Sequence, residues 1–273
     1  MYDIVTVTVN YKMKDKIVVM LRSLFRDIEG TNLKVQPVIV DNGSGDGIEE
    51  TLKKEFGGRV LFIDAEGNVG FGKGNNAALK KFDATYYFIA NPDLVFFENQ
   101  PRTIERLYQF MEAHKKVGIV APQLILPSGQ LQPSCMRFPK IFDPPMHRLG
   151  LHKKYDWARR RIDHMHMKDF DHTKTSPIDW ATGASIFCRG SMLKEIGFFD
   201  ERYFMYFEDT DLCRSFWSKG WPVYYKGDIA IQHGHQRASA KVPGIKSVLL
   251  NPLTRIHIKS LLQYSWKWRG QRI

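Results

Sequence analysis

The chain has 273 residues, 43% of them apolar and 25% charged, which suits one large domain or one domain with an appendage and is enough to bury a sizeable core. Forty Lys and Arg against 29 Asp and Glu leave a formal charge of +11. This composition excludes intrinsic disorder, a collagen-like chain and a disulfide scaffold, since the three cysteines (Cys135, Cys188, Cys213) are odd in number, far apart and without CxxC spacing.

The opening MYDIVTVTVNYK carries an acid at Asp3 and alternates like a strand, so no secretory signal is expected there. No run of eighteen apolar residues predicts a membrane span. Residues 4–9 (IVTVTV) are β-branched throughout and predict a strand buried on both faces. Ile17, Met20, Leu21, Leu24 and Phe25 then recur at helical spacing. Residues 35–40 predict a second strand ending at Asp41, followed by an acid-led helix over 46–56. A third strand is expected over 60–63, a helix over 75–82, a fourth strand over 86–90 (YYFIA) and a long amphipathic helix over 101–114. Strands alternating with helices predict an α/β fold: a mostly parallel, Rossmann-like central sheet with helices on both faces.

Residues 122–177 are rich in Pro, His and basic residues with little periodicity, and predict a long excursion over the sheet surface. Beyond them, 178–188 (IDWATGASIFC) predict a strand and 208–219 a helix closed by Gly220; 223–225 and 229–232 are short strand candidates. After Asp228 no acid occurs, while the same tail carries Arg237, Lys241, Lys246, Arg255, Lys259, Lys267, Arg269 and Arg272. A second basic cluster, KKYDWARRR, covers 153–161. Such patches favour phosphates, whether of nucleic acid, anionic lipid or phosphorylated small molecules, or form a solvated basic face. In the tail, Leu250, Leu253, His257, Leu261 and Tyr264 approximate one helical face, suited either to a membrane interface or to packing on the preceding domain.

Ligands of open parallel sheets sit beyond the carboxyl ends of the strands. There the sequence places Asn10-Tyr11 after strand one, VDNGSGD (41–46 from its Asp) after strand two and NPD (91–93) after strand four. Carboxylates at Asp41 and Asp93 can accept from a nucleotide base or ribose, or bind a divalent cation; each can also simply begin a turn or cap a helix. GNVGFGKGNN (67–76) is a glycine-rich loop running into a helix, suited to phosphate but an imperfect match to GxGxxG. In FEDTDL, Glu208, Asp209 and Asp211 follow the aromatic approach Phe204, Met205, Tyr206 and Phe207. Acids at a helix start suit its dipole, and a carboxylate walled by aromatics also suits general-base work. His164 and His166 are expected to be surface residues; His233, with His235 as an alternative, is the better ligand candidate.

These motifs, in this order over roughly residues 3–240, resemble the family 2 glycosyltransferases of GT-A fold. They are most similar to the bacterial rhamnosyltransferase-like branch that builds polysaccharides on polyprenyl-diphosphate carriers. The carriers of the resemblance are VTVNYK, VDNGSGD, GNVGFGKGNN, NPD and WATGASIFCRGSMLKEIGFFDERYFMYFEDTDLCRSFWSKGW. The resemblance implies a GT-A domain over 1–240, with a nucleotide-binding half (1–121) and an acceptor half (122–240), and a basic C-terminal tail over 241–273. It implies that Val9, Asn10, Tyr11 and Asp41 hold the base, with Asn42 and Ser44 in the same turn, and that Asn68, Gly70, Phe71 and Asn76 line the donor pocket. NPD stands where the family has DxD, with Asn91 in place of the first acid, so Asp93 becomes the metal and diphosphate residue for Mg²⁺ or Mn²⁺, assisted by His233. Trp180, Gly183 and Glu208 are expected to border the acceptor, and Asp209 matches the catalytic base supported by Glu208.

The implied activity is inverting transfer from a nucleotide sugar, dTDP-L-rhamnose favoured and UDP-hexoses open, to a polyprenyl-diphosphate-linked saccharide. A cytoplasmic protein peripheral on an anionic membrane is expected, with no nucleic-acid partner. Two other classes compete. A nicotinamide oxidoreductase lacks its fingerprint after strand one, where the chain reads VNYKMKD. A non-enzymatic basic nucleotide- or lipid-binding module explains the charge but not the acids at strand ends.

Overall fold

The computed structural model describes residues 1–234 and 251–271. Four of its strands are those the β-branched runs predict: β1 (Tyr2–Asn10), β2 (Val35–Asp41), β3 (Leu61–Asp64) and β4 (Ala84–Ala90). β1 pairs in parallel with β2 and β4, and β2 with β3, so that Asn10, Asp41 and Asp64 lie side by side at the carboxyl edge. Side chains alternate between two cores, as a pleated strand requires. Ile4, Ile39, Tyr86 and Phe88 face α1 (Lys14–Asp27), α2 (Ile48–Phe56) and α4 (Thr103–Ala113). Val5, Val7, Val38, Val40, Tyr87 and Ile89 face α3 (Phe71–Leu79) and the later helices. Burial on both sides explains why these runs are continuously apolar.

The second half departs from the expected surface excursion. Residues 122–177 contribute to a central strand, β6 (Ile119–Ile125), the short strands β7 (Leu131–Gln132) and β8 (Cys135–Met136), and three short helices, α5 (Asp143–Arg148), α6 (Leu151–Lys154) and α7 (Asp156–Met165). They end in β9 (Thr175–Ile178). Pro122 conceals β6, because proline has no N–H to give a central ladder. The partner strand β12 (Val223–His233) shifts register between Lys226 and Ala230, opposite Pro122 and Gln123, so the irregularity sits where the donor is missing. β12 is thereby one long strand where two short ones are expected.

The predicted strand over 178–188 is broken as well. It divides into the end of β9, β10 (Trp180–Ala181) and β11 (Ser185–Arg189), with Gly183 at the break. β11 runs antiparallel to both β4 and β6 and joins the halves, giving the order β3-β2-β1-β4-β11-β6-β12-β5, where β5 is Leu94–Val95. α8 (Gly190–Glu195) and α9 (Glu208–Ser218) follow β11. The mixed α/β sheet with helices on both faces is the expected architecture, with antiparallel strands added at its centre and edge.

The last helix, α10 (Pro252–Lys267), begins with Pro252 after Asn251, whose side chain accepts from the Leu253 N–H at 2.9 Å. Leu261, Tyr264 and the following Trp268 pack on Tyr203 and Phe207. Of the two uses open to this helical face, packing on the domain is the one observed. Leu250, Arg237, Lys241, Lys246, Arg272 and His235 lie outside the described residues. Among the described residues no helix is long and apolar enough to cross a membrane.

Candidate active site

Asn10 and Asp41 meet at the ends of β1 and β2. The Asn10 amide donates to Asp41 Oδ1 at 2.8 Å and to both carboxylate oxygens of Asp46 at 3.2 Å, and its own carbonyl accepts from the Met13 N–H. Asp41 Oδ2 accepts from the Ser44 N–H at 3.0 Å, and Ser44 Oγ accepts from the Lys12 N–H at 2.9 Å. These bonds hold the turn between β2 and α2 against the turn after β1 and orient the Asp41 carboxylate at the sheet edge. Asp46 is a member of this cluster that sequence reasoning missed; its signal was its place as the second acid of VDNGSGD. Val9 packs beneath Gly74, and Tyr11 stands exposed at the rim.

The glycine-rich loop is fastened to the same turn. The Asn42 amide donates to Asn68 Oδ1 and to the Gly70 carbonyl, while its carbonyl oxygen accepts from the Val69 N–H. α3 begins at Phe71, four residues before the expected start, because Gly70 at φ +89 makes the turn that admits it. The Phe71 N–H donates to the Phe204 carbonyl at 3.0 Å, and a Cβ on Gly70 would lie 2.2 Å from that oxygen. Gly70→Ala therefore combines a left-handed backbone with a backbone clash; a loss of about 2 kcal/mol or more is expected, read by thermal denaturation. Asn76, expected to line the donor pocket, spends its amide elsewhere. It donates to the Phe199 carbonyl and to Glu201, and accepts from the Phe199 N–H, pinning the approach to α9 onto α3.

Tyr206 and Phe207 both adopt positive φ (71° and 68°) immediately before the acids. Side-chain-bearing residues at such angles cost about 1–3 kcal/mol each and persist only where their surroundings over-determine them. The three acids beyond them face different partners. Asp209 Oδ2 accepts from the Gly183 N–H at 2.9 Å, and Oδ1 accepts from the Thr210 N–H at 2.7 Å and its hydroxyl at 3.3 Å. Glu208 is buried, and its Oε2 has no hydrogen-bond partner among the described residues. Burial pushes both carboxyls above the usual range, Glu208 well above it with help from the neighbouring Asp209 charge. Since three hydrogen bonds stabilise the Asp209 anion and none reaches Glu208 Oε2, Asp209 ionises first. Asp211 does other work: its buried carboxylate accepts from Lys267 Nζ and Trp268 Nε1, both at 2.7 Å, and from the Tyr203 hydroxyl at 3.3 Å.

The turn after β4 lies close to Asp209. The Asn91 N–H donates to the Ala184 carbonyl at 2.9 Å, one residue beyond the Gly183 that holds Asp209. The Phe71 ring rests on Gly183, where a Cβ would meet it at 3.1 Å. Trp180, half-buried, is fixed by its indole N–H to the Arg137 carbonyl at 3.1 Å. Asp93 Oδ1 lies 3.2 Å from His233 Nε2, and Lys16 Nζ lies 3.8 Å from Oδ2. Burial by itself raises the Asp93 carboxyl, but His233 and Lys16 more than offset it and hold it below the usual range.

Asp93 and His233 offer at most two side-chain ligands to a divalent cation. Gln132 Oε1 lies 2.9 Å from His233 Nδ1, and an amide oxygen only accepts, so Nδ1 carries the proton. Nε2 faces Asp93 Oδ1 and the Asn91 amide, each at 3.2 Å: protonated, it donates to the carboxylate; unprotonated, it accepts from Asn91 and is open to a cation. A divalent cation would take the place of the proton shared by this pair, with the Asp93 carboxylate the ligand that suits Mg²⁺ or Mn²⁺ and the imidazole held in orientation by Gln132. Among the described residues no group of three or more His, Cys, Asp and Glu side chains could hold a metal. Gln132 and Lys16 are contributions the sequence did not signal: one lies in the aperiodic stretch, the other among helix-surface lysines.

The family model "Glycosyl transferase family 2" matches residues 3–174. The chain is 25% identical over 252 residues to the N-acetylglucosaminyl-diphospho-decaprenol L-rhamnosyltransferase of Mycobacterium tuberculosis, covering 88% of this chain and 79% of that one. It is 24% identical over 215 residues to the low-salt glycan biosynthesis hexosyltransferase Agl10 of Haloferax volcanii, covering 77% of this chain and 60% of that one. In fold it is similar to S. aureus TarS 1-349, with TM-score 0.57, 16% identity and 85% of this chain covered, of which structure it spans 60%. It is also similar to GalNAc-T7 solved with UDP, GalNAc and Mn²⁺, with TM-score 0.62, 12% identity, and 86% and 44% of the two chains covered.

Proposed function

This chain belongs to glycosyl transferase family 2, and within that family we propose that it is an inverting, nucleotide-sugar-dependent hexosyltransferase acting on a lipid-linked saccharide. L-Rhamnose from dTDP-L-rhamnose is the favoured donor, in keeping with the rhamnosyltransferase it is similar to. The observation that carries the reading is the short run of bonds from Asp209 through Gly183 and Ala184 to Asn91. It supports a reading in which Asp209 acts as the base beside the Asp93–His233 pair at the carboxyl edge of the sheet.

In the proposed mechanism Asp41, oriented by Asn10 and Ser44, accepts from the N3–H of the pyrimidine, with Val9 and Tyr11 beside the base. Asn42, Asn68, Gly70 and Phe71 border the donor sugar and diphosphate, while Asn76 holds the pocket wall from behind. Asp93 and His233 would hold Mg²⁺ or Mn²⁺, which when bound supplies charge neutralisation for the leaving diphosphate. Trp180 and Gly183 border the acceptor. Asp209 takes the proton from the acceptor hydroxyl as that oxygen attacks the anomeric carbon from the face opposite the nucleotide. Glu208 stays protonated beside it, so Asp209 is not opposed by a second buried charge. One displacement with one base inverts the anomeric configuration, and the nucleoside diphosphate departs.

A panel of dTDP- and UDP-sugars, with and without Mn²⁺, tests this reading by thermal denaturation. A true donor at about 100 times its Kd raises stability by about 2.7 kcal/mol, more with the cation than without. A chain stabilised by none of them, yet stabilised by lipid or nucleotide alone, is instead the binding module.

A further inference from the structure

The helical stretch α5–α7 leaves an outward surface that the proposed chemistry does not use. Met146, Ala158 and Ile162 form its small core, with Leu151 and Met165 packed against them. Outside that core stand Phe142 at 73% exposure, Trp157 at 54%, Tyr155 at 51%, Leu149 at 47% and Ile141 at 44%. The Tyr155 and Trp157 rings stack with centroids 6.3 Å apart. The acids of this stretch are already paired: Asp143 with Arg161, Asp156 with Arg159 and Asp163 with Lys168. Lys153, Lys154 and Arg160 are exposed and make no ion pair among the described residues, so the surface is both apolar and cationic.

We propose that α5–α7 is a membrane-docking face, inserting Phe142, Leu149, Tyr155 and Trp157 into the interface of an anionic bilayer while Lys153, Lys154 and Arg160 meet lipid phosphates. Large aromatics and aliphatics among unpaired cations complement both layers of such an interface. Exposed Leu and Ile gain nothing from nucleic acid, whose surface offers phosphates and stacked bases. The choice of lipid also rests on the lipid-linked acceptor proposed above.

The position of the face agrees with that acceptor. Its stem is tied to the segment proposed above to border the acceptor, through Phe138 N–H to Asp179 at 2.7 Å, Trp180 to the Arg137 carbonyl, and Thr182 N–H to the Ser134 carbonyl. Docking through α5–α7 would hold the lipid next to the segment bonded to Trp180 and its neighbours. The face of α10 left open to either use packs Leu261 and Tyr264 on Tyr203 and Phe207.

Co-sedimentation of the full chain with phosphatidylcholine–phosphatidylglycerol vesicles tests the proposal, with phosphatidylcholine vesicles alone as the comparison. Binding is expected to the anionic vesicles and to weaken with salt. Lys153→Glu with Lys154→Glu, and separately Phe142→Ser, are each expected to weaken it about tenfold or more, with thermal stability unchanged. Phe142 and the two lysines are exposed outside the small core, so folding is not at stake. The proposal is overturned if the wild-type chain stays in the supernatant, or if these variants bind as the wild type does. It is equally overturned if only Leu262→Ala with Trp266→Ala on α10 releases the protein, or if a single-stranded oligonucleotide binds at that face in place of lipid. Transfer to a short, water-soluble acceptor keeps the two readings apart: retained in the variants, it leaves the enzymatic reading standing whichever way the vesicle result falls.

Discussion

Asp209→Asn is expected to lower sugar transfer by roughly a hundredfold or more while nucleotide binding stays as in the wild type. The amide keeps the shape and offers one carbonyl oxygen, which serves the Gly183 N–H or the Thr210 N–H but not both; the fall in transfer comes chiefly from losing the group that takes a proton. Wild-type kcat/KM should fall on the acid side, because a carboxylate base works only when ionised. Burial raises the Asp209 carboxyl, so the fall sets in above the ordinary aspartate range of about 3.9. In the variant that acid limb disappears from the residual rate. Transfer from the nucleotide sugar under sub-saturating acceptor, measured across pH, reads both effects. Wild-type turnover in the variant would move the base elsewhere, with Glu208 the nearest carboxyl.

Lys267→Met is expected to have the largest effect on stability. Asp211 is 2% exposed and is met by Lys267, Trp268 and Tyr203, two of them from the C-terminal segment. Removing one partner of a buried ion pair leaves a charge without compensation, a loss of about 3–5 kcal/mol; the part-exposed lysine argues for the lower figure. The effect also depends on pH. Burial already raises the Asp211 carboxyl despite Lys267, and without the lysine it rises further. A raised acid costs stability above its unfolded pKa and ceases to cost it once protonated. The gap between variant and wild type should thus be widest near neutral pH and narrow as the pH falls, in denaturant titrations at several pH values.

The same clasp carries an activity prediction. Ser260 Oγ donates to the Met205 carbonyl, and His257 and Tyr264 pack their rings against Tyr206 and Phe207. α10 therefore backs the two positive-φ residues that aim Glu208 and Asp209. Burial pushes the His257 imidazole down to about 4, so it stays neutral in this packing at physiological pH. Lys267→Met should lower kcat more than it alters the donor KM, since Asp41 and its neighbours lie on other elements.

Much of the candidate site was legible because its residues sit where strands end. Asn10, Asp41 and Asn91–Asp93 follow β-branched or aromatic runs whose period marks the edge of the sheet, and short-range turn chemistry keeps them there. Asp209 was legible as part of an acid cluster, yet the cluster's division of labour was not. Nothing in the spacing of Glu208, Asp209 and Asp211 says that the last faces Lys267 and Trp268, more than fifty residues away. Asn76 was misread for a similar reason: its partners Phe199 and Glu201 lie over a hundred residues downstream.

What the amino-acid order determined unaided was local: the alternation of strands and helices, the turns that carry the polar residues, and through them the family. What only tertiary structure decided was long-range pairing. β6 exists as a central strand because β12 shifts register beside Pro122, and Gln132 reaches His233 because β7 pairs with β6. α10 rests on the domain because Tyr203 and Phe207 offer it an apolar seat. Periodicity reports which face of an element is apolar; which partner covers that face depends on chain ends brought together by folding, and no local pattern encodes that.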